Sequence, residues 1–276
     1  MKKALFFGII ILTMTQQGFT QKGWELGGWL GTATYFGDLN TNYDLSMPGA
    51  AGGLVARNNF NNRLSLRFGA SFAQLMADDA KSDNAFERAR NLSFQSNIVE
   101  GAALLEFNFL PYIHGSRDEF FSPYLFLGFN FTHFNPKAEF NGELVELRPL
   151  GTEGQFRGEE YYSITGGFTY GFGLKLDLNY EWSLNFEVGA RSLFTDYLDD
   201  VSTVYPDKED LLDARGQLAV DLSDRSVVIS GVENSQIGEE GSQRGNSNNK
   251  DNYVILGVGI MYYFGDIRCP DYGRRK

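Results

Sequence analysis

From Ser163 to Leu178 the chain alternates without a break. Ile164, Gly166, Phe168, Tyr170, Phe172, Leu174, Leu176 and Leu178 fall on one parity; Ser163, Thr165, Gly167, Thr169, Gly171, Gly173, Lys175 and Asp177 fall on the other. Successive side chains of a strand point to opposite faces, so this pattern reads as one long strand with an apolar and a polar side. Seven more stretches read the same way: Trp24–Phe36, Met47–Asn59, Asn62–Met76, Leu92–Phe109, Ser122–Phe134, Trp182–Ala190 and Val254–Phe264. In the fourth, the apolar parity is even at Leu92 and Phe94 and odd from Val99 onward, which predicts a bulge near Ser96 to Val99.

Each of the eight stretches meets the ~9–11 residues that a tilted strand needs to cross a bilayer. The connections after the second, fourth and sixth are short, "NFNN", "PYIHGSRDEFF" and "NYE". Those after the odd-numbered strands are longer on the whole, the longest running over about 196–250. An even number of amphipathic strands with short turns on one side and long loops on the other is the pattern of an up-and-down transmembrane β-barrel. The fold expected is therefore all-β, an eight-stranded barrel over 21–264 with long external loops, both termini in the periplasm, and a short C-terminal tail over 265–276.

Composition agrees. Phe (24), Tyr (14) and Gly (32) are abundant and Pro (7) is scarce. "MKKALFFGIIILTMTQQGFTQ" has a basic start, an apolar run too short to span a bilayer, and small residues near Thr20. That is the layout of a secretory signal peptide, expected to be cleaved after residue 20. Removing Lys2 and Lys3 takes the formal charge from -11 to -13, a poor match to nucleic acid.

With the apolar parity facing lipid, the polar parity faces inward. It carries Glu25, Arg63, Arg67, Glu100, Glu106, Lys175, Glu187 and Arg191. Eight strands leave an interior just wide enough for side chains, and opposite charges there are tolerated when paired. These eight residues are read as a lumen salt-bridge network that shuts the barrel.

Nothing assembles a catalytic or cofactor site. His114 falls in a short turn and His133 at the outer end of the fifth strand. No serine elbow or metal-ligand spacing accompanies either. The connection over 196–250 has a net charge of -7 and lacks EF-hand spacing; it reads as solvated loop, flexible in its later glycine-rich part. After Phe264 comes "GDIRCPDYGRRK", net +2 on an acidic protein, with the single cysteine, Cys269. An unpaired cysteine in an exported chain suggests an intermolecular disulfide or a free thiol.

"LGGWLGTATYFGDLN", "FTDYLDDVSTVYPD" and "YYFGDIRCP" resemble PorG-like outer-membrane proteins of the type IX secretion system of Bacteroidetes. The resemblance runs over the mature barrel and implies a non-enzymatic barrel of the OmpA/OmpX type without a cofactor. It implies partners too: a periplasmic ring of a PorK-like lipoprotein and a PorN-like protein, held to the outer membrane in the service of secretion and gliding motility. By that logic Arg268, Cys269, Arg274 and Arg275 of the basic tail touch a ring subunit, Cys269 through an intermolecular disulfide. The alternative is a barrel that binds a ligand or adheres through its external loops.

Overall fold

The computed structural model describes residues 23–228 and 237–265. The expected signal segment and the tail residues Arg268, Cys269, Arg274 and Arg275 lie outside the described residues. Among the described residues ten strands form: β1 (Gly23–Phe36), β2 (Gly49–Asn59), β3 (Leu64–Asp78), β4 (Ser93–Asn108), β5 (Phe121–His133), β6 (Pro136–Phe140), β7 (Glu143–Glu146), β8 (Ile164–Asp177), β9 (Trp182–Leu193) and β10 (Asn252–Gly265). Eight of them close a ring. Each of β1, β2, β3, β4, β5, β8, β9 and β10 pairs antiparallel with two neighbours; β1 meets β10, and β3 meets β4. No open edge is left within the ring, which is what lets strands cross hydrocarbon.

Parity does the sorting. Leu26, Leu30, Leu54, Phe68, Phe129, Phe172 and Leu256 are exposed on the outer face, while Glu25, Arg57, Arg67, Glu106 and Lys175 are buried inside. Large apolar side chains outside and charges inside are a soluble protein turned inside out. They identify a transmembrane barrel of the outer-membrane kind. Aromatic residues gather at the outer face near the ends of β9 and β10, where Trp182 packs edge-on to Tyr262 at 4.9 Å and Tyr262 to Phe264 at 4.6 Å. Among the described residues no helix is long and apolar enough to cross a membrane; the crossing is made by strands.

Gly23 pairs with Gly265, so the described chain enters and leaves at one end of the barrel. That end also carries the three short turns, and we call it the short-turn end. The opposite end carries the β6–β7 hairpin and three short helices, α1 (Ala85–Arg90), α2 (Lys208–Arg215) and α3 (Gln217–Ser223). The hairpin closes through Asn141 (φ 52°) and Gly142 (φ 85°). Two successive left-handed residues make the tight turn whose twist matches paired strands, and Asn-Gly is the dipeptide that favours it.

The expected bulge in β4 is absent. The register with β3 runs unbroken from Leu64–Phe107 to Asp78–Ser93, and even-numbered residues point inward throughout. What changes is the surroundings. Below the Phe72–Val99 pair the outer face is apolar and the inner face charged. Above it the outer face carries Gln95, Asn97 and Gln74, and the inner face carries Leu75, Phe94 and Ile98. The strands have left the lipid, so the polar side turns to water and the apolar side covers a core.

Candidate functional site: a plugged floor and a tied cap

The barrel interior has two storeys. The lower one, nearer the short-turn end, is ionic. Glu106 on β4 is its hub, with Lys175 Nζ at 2.6 Å, Arg57 Nε at 2.8 Å and Arg67 Nη1 at 3.2 Å. Arg57 continues to Glu25 at 2.6 Å, and Arg67 also pairs with Glu187, which accepts the Tyr124 hydroxyl at 2.5 Å. The Arg67 guanidinium lies 4.7 Å from the Phe126 ring centroid. This gives Tyr124 and Phe126, the inward aromatics of β5, partners that suit a charged lumen.

The floor is finished by a turn. His114, in the β4–β5 connection, folds under the barrel with Nδ1 at 2.7 Å from Asp177 and Nε2 at 3.4 Å from Glu25, and stacks on Tyr263 at 4.4 Å. Burial disfavours its charge, but the hydrogen bonds to Asp177 and Glu25 outweigh this and raise its pKa. Higher up, Arg191 meets Glu100 at 3.1 Å and Glu100 accepts from Tyr253 at 2.5 Å. Between the two groups Trp29 lies across the lumen. A Cβ on Gly53 would stand 2.8 Å from its indole Nε1 and one on Gly257 3.0 Å from its ring, so these glycines make room for the indole. A cavity of about 30 Å³ remains beside it, room for one or two waters.

Seven of the eight residues expected in the lumen therefore lie inside it: Glu25, Arg67, Glu100, Glu106, Lys175, Glu187 and Arg191. Arg63 does not. It lies between the "NFNN" turn and β3, is exposed, and donates to the Phe109 carbonyl at 3.1 Å. Its parity was right but the strand begins one residue later, so no wall holds it inward. Arg57 was missed, although it is wholly buried and bridges two glutamates. It shares the odd parity of β2 with Val55 and Gly53, and the glycine-rich run hid that face.

The upper storey is the apolar core begun by Leu75, Phe94 and Ile98, closed by Phe134, Leu198 and Val201. The start of the 196–250 connection is thus not a solvated loop. Its acidic segment from Asp196 to Ser202 is buried, because Leu198 and Val201 plug the barrel mouth and draw the aspartates in with them. Two arginines tie the loops over this plug. Arg90 binds Asp79 through both Nε and Nη2 at 2.8 Å and donates to the carbonyls of Asp38 and Arg244, both at 2.7 Å. Arg244 pairs with Glu153 at 3.1 Å and donates to the Asp200 carbonyl. Glu153 in turn accepts the amides of Ser202 and Thr203 at 2.8 and 3.1 Å. Asp200 sits at φ 69°, held by Thr152 at 2.5 Å and Tyr161 at 2.7 Å; burial, opposed by Arg244, pushes its pKa up to about 6. Burial and the neighbouring charge of Asp38 push Asp196 up to about 7.

Residues 2–233 match the model of a domain family described only as a domain of unknown function, DUF6089. The chain belongs to this family. A comparison with curated proteins finds no match. Among solved structures, the chain is similar to Neisserial surface protein A (11% identity, TM-score 0.41, covering 88% of this chain and 97% of that one). It is similar also to the outer membrane protein OprG from Pseudomonas aeruginosa (14% identity, TM-score 0.42, covering 91% and 99%), and to E. coli outer membrane protein W (11%, 0.37, covering 90% and 100%). The match of DUF6089 ends within the last connection, so the Asp196–Ser202 segment is family sequence and β10 lies beyond the matched span.

Proposed function

We propose that this protein is a non-catalytic outer-membrane anchor and scaffold of a type IX protein secretion machinery. It would hold a periplasmic ring of a PorK-like lipoprotein and a PorN-like protein to the membrane. The observation that carries the reading is the filled interior. An ionic floor and an apolar plug leave the two end faces as the surfaces through which the protein can work. The resemblance of "YYFGDIRCP" and "FTDYLDDVSTVYPD" to PorG-like proteins supplies the identity of the machinery. On this reading the short-turn end faces the periplasm, and Arg268, Cys269, Arg274 and Arg275 follow β10 toward the ring. The test is removal of residues 266–276. Ring attachment and secretion are lost while the barrel still folds; intact secretion in that strain ends the proposal. A non-reducing gel of membranes, wild type beside Cys269→Ser, reads whether the contact is a disulfide.

A second reading has its own support. The long-loop end is a folded platform that exposes Phe156 and Tyr162, at 76% and 86%, and large exposed aromatics off the lipid belt are what a surface ligand-binding or adhesion barrel presents. Replacing both by Ala abolishes surface binding and leaves secretion intact if this reading is the right one.

A further inference from the structure

Three buried polar residues from distant parts of the chain meet in the cap. The Tyr35 hydroxyl, near the end of β1, lies 2.6 Å from Asp199 Oδ2 and 2.8 Å from Asp251 Oδ1. All three residues are at most 1% exposed. The remaining carboxylate oxygens already have donors: Asp199 Oδ1 accepts the Val201 amide at 2.9 Å, and Asp251 Oδ2 the Leu198 amide at 2.8 Å. A phenol carries a single proton. It can satisfy one of the two carboxylates it touches; the other then sets a bare oxygen against the phenol lone pairs.

Among the described residues no cation fills the gap. Arg90 is committed to Asp79, and Arg244 to Glu153 and Asp200. Among the described residues, no group of His, Cys, Asp or Glu side chains is arranged to hold a metal ion. The hydrogen count among these side chains is therefore one short, in a site closed to bulk solvent. We propose that Tyr35, Asp199 and Asp251 form a proton-binding latch. One carboxyl stays protonated and donates to the phenol oxygen, the phenol donates to the other carboxylate, and the extra proton holds the acidic plug of the last connection against the β1 wall.

The surroundings favour the neutral form. Burial, then the negative charge of the neighbouring carboxyls, raises Asp199 well above the ordinary aspartate range, and burial with the charges of Asp196 and Asp38 does the same for Asp251. The groups facing the latch are Asp38 from the β1–β2 connection, Asp196 from the last connection, Arg90 from α1 and Tyr161 from the stretch before β8. Of these only Arg90 is cationic, and its donors are spent elsewhere.

An opened loop returns both aspartates to water, where each ionises near pH ~4. The closed cap holds a proton that the open one has released, so closure is strongest in acid. It weakens by up to about tenfold per pH unit between that value and the latch's own titration.

The test uses the full chain refolded in detergent micelles, with the barrel verified by heat-modifiable gel mobility. Hydrogen exchange of the Leu198 and Val201 amides, expressed as protection relative to the unfolded chain at each pH, is followed from pH 5 to 8. Wild-type protection falls as pH rises. In Asp251→Asn the side-chain amide donates permanently to the phenol, so the slope is shallower by one proton, about tenfold per pH unit. Asp199→Asn repeats the count from the other side, should the first variant disturb the cap. In infrared spectra at neutral pH the wild type shows a protonated carboxylic acid band that each variant reduces. Equal slopes in wild type and both variants, or a band unchanged in both, overturns the latch. So does protection that collapses on adding a chelator, which would put a divalent cation where we place the proton.

Discussion

The two storeys of the barrel solve the same problem, closing a tube, with opposite chemistry. The floor uses charges fixed on strands: Glu106 and Glu25 among Arg57, Arg67 and Lys175, every one held by the closed ladder. The cap uses apolar side chains, several of them carried on loops, with Arg90 and Arg244 as ties. The difference teaches where cooperativity should lie. A buried charge stripped of its partner destabilises whatever holds it. In the floor that is the whole barrel, whereas in the cap it is a set of loops able to open while the ladder stays paired.

The largest effect expected is therefore at the hub. Glu106→Ala leaves Arg57, Arg67 and Lys175 without their shared carboxylate and lowers stability by about 3–5 kcal/mol, read as a lower urea midpoint of the refolded barrel. Arg90→Ala strands the buried Asp79 and costs the cap a similar order, about 3 kcal/mol, but locally. Amide protection falls across the last connection, while the barrel's urea midpoint moves little. If Arg90→Ala shifts that midpoint as far as Glu106→Ala does, the two storeys unfold as one and the comparison fails.

The next effect is on pH. His114 is raised above its usual value by Asp177 and Glu25. Its contribution is complete below the unfolded imidazole value of about 6.5 and is lost as pH rises through the higher folded value. Wild-type barrel stability should fall across that window, and His114→Ala should flatten the fall, measured as urea midpoints at a series of pH values. The smallest effect is at Arg63. Exposed in its turn, it should tolerate Ala within about 0.5 kcal/mol, against the several kcal/mol of its former companions in the predicted network.

The ring was legible in the sequence because lipid outside and charge inside impose a strict period of two. Seven lumen residues followed from parity alone. The cap was not legible, for a physical reason visible in β4. Apolar parity reports which side meets oil, and Leu92, Phe94 and Ile98 meet a protein core where Val99 and Leu105 meet lipid. The same backbone thus reads as two faces, and a medium boundary imitates a bulge. Asp196 to Ser202 failed in the opposite sense. Asp196, Asp199, Asp200 and Ser202 read as solvent-seeking loop, yet Leu198 and Val201 draw them under cover, where Tyr35 donates to Asp199, and Thr152 and Tyr161 donate to Asp200 beside Arg244. Arg57 lay hidden because glycines on both faces of β2 blur its alternation.

The unbroken β3–β4 ladder has a mechanical consequence. Strands that continue from hydrocarbon into the cap without a kink leave no pivot at the membrane surface. A force applied to the cap is passed directly down paired backbones to the aromatic rim at the far end. The cap cannot swing aside as a door would. It can come apart only loop by loop, while the wall on which those loops rest stays upright.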